Sequence, residues 1–98
     1  MSGPFSADPV AYQAIVTSDG TALASNFNRK FWSLQNLDDA AVYVKLGASA
    51  SSSDFSFVLK AGTASNDGTG GFVSDTAWTG IVSIAAASGS PRVVVCEL

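Results

Sequence analysis

The chain has 98 residues, a formal charge of −3 at neutral pH, one cysteine and no histidine. That length holds a single domain, which buries roughly 60% of the surface its unfolded chain exposes. Five cations against eight acids give no basic surface for nucleic acid or an anionic membrane; the lone Cys96 excludes an internal disulfide and a four-cysteine zinc site, and the lack of histidine excludes Ser-His-Asp, Cys-His and histidine-ligated metal chemistry.

The first ten residues, MSGPFSADPV, carry two prolines and a single large apolar group, Phe5. Proline cannot donate to a sheet ladder, so this stretch reads as an extended arm ahead of one domain over residues 11–98, with Phe5 as a candidate contact to a partner. The arm has neither the basic nor the apolar region of a secretory signal, and nothing downstream approaches the roughly 18 apolar residues of a membrane helix. The expectation is a soluble product made in the cytoplasm.

Beyond the arm, short runs rich in Val, Ile, Phe and Tyr alternate with clusters of Gly, Ser, Asn and Asp. This pattern predicts an all-β, two-sheet sandwich of about seven or eight short strands, with a jelly roll and an immunoglobulin-like order both open. The strands fall at Val10 to Val16, Thr21 to Ser25, Lys30 to Gln35, Ala41 to Leu46, Phe55 to Leu59, Phe72 to Ser74, Gly80 to Ala86 and Arg92 to Glu97.

Adjacent Phe31 and Trp32 face opposite sides of a strand, which places that strand centrally or under a partner. Trp32 is therefore a candidate contact. DAAVYVKLG from Asp39 and DFSFVLKAG from Asp54 repeat after fifteen residues. In the first, Val42 and Val44 oppose Tyr43 and Lys45; in the second, Phe55, Phe57 and Leu59 oppose Ser56, Val58 and Lys60. Both strands then turn one face to the core and their lysine outward, joined by the small-residue stretch GASASSS.

LKAGTASNDGTGGF, residues 59 to 72, has no lysine in the position a phosphate loop requires and too few acids for a calcium loop. Asn66, Asp67 and Gly68 tolerate positive φ, so the segment reads as a reversal between two strands with a mobile or partner-ordered tip. Trp78 reads as a lid on the core or an exposed anchor, the third candidate contact. Cys96, beside Val93, Val94, Val95 and Leu98, reads as a buried, inert thiol.

Seven Asp and one Glu make up the acids. Asp19, Asp38, Asp39 and Asp67 sit at turns, where Asp bonds its own backbone, and Lys30, Lys45 and Lys60 read as solvated. No catalytic residue, cofactor or metal ligand is expected. Charged residues are 13% of the chain, about half the usual share, so the surface is built from Ser, Thr, Asn, Gly and Ala, which cost little to remove from water. Such a surface suits contact with other protein.

From Arg29 to Leu98, the segments RKFWSLQNLDDAAVYVKLG, FSFVLKAG and WTGIVSIAAASGSPRVVVCEL resemble a type of small virion protein of tailed bacteriophages. The resemblance implies a non-enzymatic β-sandwich on the phage particle: a capsid decoration (cement) protein on the capsid surface, with a small neck, tail or fibre-tip component as the alternative. Its partner would be the major capsid protein or another virion protein, and the three-fold positions of an icosahedral shell favour a homotrimer. A carbohydrate-binding, lectin-like sandwich is the other reading, with Trp32, Tyr43 or Trp78 stacking on sugar.

Overall fold

Where apolar and polar residues alternate, the chain forms strands: β1 (Tyr12–Val16), β2 (Gly20–Leu23), β3 (Trp32–Asn36), β4 (Val42–Leu46), β5 (Phe57–Leu59), β6 (Phe72–Asp75), β7 (Val82–Ala86) and β8 (Val93–Glu97). The computed structural model describes residues 12–98. The expected arm with Phe5, and the first residues of the Val10 to Val16 strand, lie outside the described residues.

The strands form two four-stranded sheets, β1-β8-β3-β6 (sheet A) and β2-β7-β4-β5 (sheet B), and every pairing is antiparallel. Only β4 and β5, neighbours in sequence, also pair; every other connection passes from one sheet to the other. This is the order of the eight-stranded jelly roll, which decides between the two sandwich topologies the sequence left open.

Alternation sorts each strand between core and exterior. Trp32, Leu34, Val93 and Val95 of sheet A meet Leu23, Val42, Val44, Leu59, Val82 and Ile84 of sheet B in one core. Burial of each such side chain contributes about 1.5–3 kcal/mol. Phe55 departs from its expected place. The β4–β5 ladder begins at Phe57, and Phe55, one bend earlier, is exposed with its ring 4.9 Å from that of Tyr43 on the outside of sheet B. The strict alternation of the repeat does not reach back to Asp54.

The GASASSS connection turns back over sheet B: the buried Ser83 hydroxyl donates to Gly47 O at 2.7 Å and accepts from Ala50 N at 2.9 Å. Residues 60–71 join two strands, as expected, and the sheet order adds that they do so by crossing from β5 in sheet B to β6 in sheet A. It is fastened along its length, with Gly62 N donating to Asp38 O, Asn66 N to Leu37 O and Gly71 N to Lys60 O, each within 2.7–2.9 Å. Asn66 and Gly68 adopt positive φ, as that stretch predicts. Gly70 and Gly71 serve close approach: a Cβ on Gly70 would stand 2.2 Å from Asn36 O, and one on Gly71 2.7 Å from Lys60 N.

Candidate functional site: an uncharged sheet face and a clamped turn

Directly paired residues of antiparallel strands share a face, so the register defines the outer side of sheet A. One row across it is Ile15, Val94, Gln35 and Phe72; the next is Gln13, Cys96, Ser33 and Ser74. Neither row contains a charged residue. Ile15 and Phe72 stand on the two edge strands, 49% and 54% exposed, so large apolar groups flank the face where water can reach them. Placing Cys96 here corrects its reading as buried: alternation sends Val93 and Val95 into the core and turns Val94 and Cys96 outward, where the thiol is half-buried.

At one end of the sandwich, Arg29 gathers three segments. Its Nε donates to Glu97 Oε1 at 2.6 Å, Nη1 to Trp78 O and Gly80 O at 3.1 and 3.0 Å, and Nη2 to Ala24 O at 2.5 Å. The Arg29 side chain is 1% exposed, so the planar guanidinium replaces water with one carboxylate and three carbonyls in a fixed fork. Asn26 Nδ2 reaches the other Glu97 oxygen at 3.3 Å.

The same end presents a turn. Arg29 N donates to Asn26 O at 3.0 Å, and Asn28 N to Asn26 Oδ1 at 3.0 Å, an Asx turn closed on a β-turn. Phe27 stands at its tip, 92% exposed. Beside it a cleft of about 390 Å³ opens between edge strands β1 and β2, lined on its apolar side by Tyr12, Ala22, Leu23 and Ala24 and on its polar side by Asn26 and Glu97.

Two aspartates organise loops. Asp75 Oδ2 accepts from Trp78 N at 2.8 Å, Ala77 N at 3.1 Å and Trp32 Nε1 at 3.1 Å. The Trp78 amide above all, with the Ala77 amide and the Trp32 indole, holds its carboxyl below the usual range against the opposing effect of burial. In the crossover, Asp67 accepts from Thr63 Oγ1 at 2.6 Å, Thr69 Oγ1 at 2.6 Å and Thr69 N at 2.9 Å. The Thr63 hydroxyl first, then Thr69, lowers its carboxyl from 3.8 to about 2. A depressed folded-state pKa contributes stability above the ordinary value and loses it as pH falls through the folded one. The Thr69 amide resonance is therefore expected to titrate with a midpoint of about 2, and the protection of the Thr63 and Thr69 amides against exchange, relative to their intrinsic rates at each pH, to fall through the same midpoint. Asp67→Asn removes that dependence; an unchanged titration in the variant would refute the assignment.

Of the three contacts expected from sequence, the structure describes two, Trp32 and Trp78, which share Asp75 Oδ2 as a hydrogen-bond acceptor beside the core. Phe5 lies outside the described residues. Trp32 is 1% exposed in the core, which leaves no indole face for a partner or a sugar; its bulk on both sides, with Phe31, reflects a strand between β8 and β6. Trp78 is half-buried against the core with Nε1 donating to Ile81 O at 2.9 Å, the lid of the two readings, and a Cβ on Gly80 would meet its ring at 2.6 Å. Lys45, read as solvated, pairs with Asp54 at 2.6 Å. Phe27 and the Arg29–Glu97 pair were missed, although a lone glutamate closing the apolar run VVVCEL was a usable signal. Among the described residues no group of three or more His, Cys, Asp or Glu side chains converges. No protein-family model, no curated protein and no solved structure matches this chain.

Proposed function

We propose that this chain is a non-enzymatic structural protein of a tailed-phage virion, which decorates and stabilises the capsid by seating the outer face of sheet A on a neighbouring protein. The observation that carries the contact is the uncharged row Ile15, Val94, Gln35 and Phe72, exposed at both edges. A sheet face without Lys, Arg, Asp or Glu gives up little hydration when covered, and depletion of charge is what marks the centre of protein interfaces. The jelly roll serves capsid, lectin and cupin domains alike, so the fold does not choose among them. The virion assignment is supported by the resemblance over Arg29 to Leu98.

The test places charge on the face without touching the core. Ile15→Lys and Phe72→Lys alter half-exposed positions on edge strands, so circular dichroism and melting stay close to the parent's. Co-sedimentation with shells assembled from the major capsid protein of its own phage is expected to weaken at least about tenfold in each variant. Parent protein that ignores the shells, or charged variants that bind like it, would overturn the reading.

A further inference from the structure

We propose that Phe27 is the anchor of a closed cyclic assembly of this chain, inserted into the cleft between β1 and β2 of the adjacent copy. A phenylalanine 92% exposed on a tip held by an Asx turn and by the buried Arg29 is an apolar group presented in a fixed place. The turn backbone is already ordered, so docking costs only the freedom of the phenyl side chain itself, a small loss beside the gain of burying an aromatic anchor.

The cleft supplies the complement. Its volume of about 390 Å³ admits a phenyl ring, and Tyr12, Ala22, Leu23 and Ala24 offer it apolar walls. Among the described residues that line it, the one acidic side chain, Glu97, is already paired with Arg29. No uncompensated charge therefore meets the incoming ring, and copies of an acidic chain can approach there.

Adjacency selects a second copy as the occupant. Asn26 forms part of the cleft wall and Phe27 is the next residue, so projection and socket stand side by side on one surface. When such a pair lies next to a rotation axis, the Phe27 of each subunit fills the socket of the next and the ring closes with every socket used once. Both two-fold and three-fold rings meet this condition. The inference concerns a different surface from sheet A and stands whether or not the chain binds a shell.

Sedimentation equilibrium across a concentration series is the test, with Phe27→Ser removing the projection and Ala24→Trp filling the socket. Both positions are exposed, so unchanged melting is the control for folding. Each variant is expected to weaken self-association about thirty-fold or more, the loss typical of an interface anchor. An equal mixture of the two is expected to regain part of it, because Phe27→Ser keeps an intact socket and Ala24→Trp an intact projection. Parent protein with the mass of a single copy at about 1 mM, where only the weakest contacts fail to form, would overturn the proposal. So would Phe27→Ser associating as the parent does.

Discussion

Arg29→Met is expected to cost about 3–5 kcal/mol in urea unfolding, the penalty of removing one partner from a buried ion pair. Domains of this kind are stable by about 5–15 kcal/mol in total, and each kcal/mol moves the melting temperature by about 4–8 °C at this size. The variant therefore melts far below the parent or fails to fold. The loss comes from what is left behind: Glu97 without its cation, and the carbonyls of Ala24, Trp78 and Gly80 without a donor. Arg29→Lys restores charge but not the fork, and falls between parent and Arg29→Met. Adding Glu97→Gln to Arg29→Met is expected to recover part of the loss, since the stranded charge goes with it. Lys45→Met, which breaks the more exposed pair with Asp54, costs under about 1 kcal/mol. An Arg29→Met protein that melts within a few degrees of the parent would show that the clamp contributes little.

This clamp was not legible in the sequence, and the reason is physical. Arg29 and Glu97 lie 68 residues apart, and nothing in local periodicity couples them. The eight strands were legible because each carries its own alternation: Val42 and Val44 against Tyr43 and Lys45 define a face without reference to any other strand. Sheet order was not, since pairing is decided by distant segments; hence a segment that reads locally as a turn, residues 60–71, proves to join two sheets. Trp32 illustrates the same limit. A large aromatic in a strand signals either core or contact, and only the packing of sheet B against the face that carries Trp32 and Leu34, with Ser33 and Gln35 turned the other way, decides for the core. The uncharged face was foreseen as a property of composition but could be placed only with the register, which aligns Ile15, Val94, Gln35 and Phe72 from four separate strands.

Asn36→Leu is expected to destabilise the fold by about 2–4 kcal/mol, although it places a larger apolar side chain at a fully buried site. Asn36 Nδ2 donates to Ala40 O at 2.8 Å and to Lys60 O at 3.0 Å, while Oδ1 accepts from Asp38 N at 2.9 Å. One amide thus ties the end of β3 to the turn that follows it and to the strand end from which the crossover leaves. Leucine satisfies none of the three groups; Lys60 O keeps its bond from Gly71 N, but Asp38 N and Ala40 O lose theirs, and each such group costs about 1–3 kcal/mol, which outweighs the added apolar burial. The charged alternative separates hydrogen bonding from packing. Asn36→Asp keeps the shape but sets a carboxylate against two carbonyl oxygens, so its pKa rises on folding, and this variant alone is expected to gain stability relative to the parent as pH falls and the acid acquires a proton to donate. Gly70→Ala acts on the same junction from the other side, because its Cβ would stand 2.2 Å from Asn36 O. Combined with Asn36→Leu it is expected to cost less than the two losses added, as coupled sites do. Full additivity, or an Asn36→Leu protein as stable as the parent, would mean that the crossover is held by its backbone bonds to Leu37 and Asp38 and not by this buried amide.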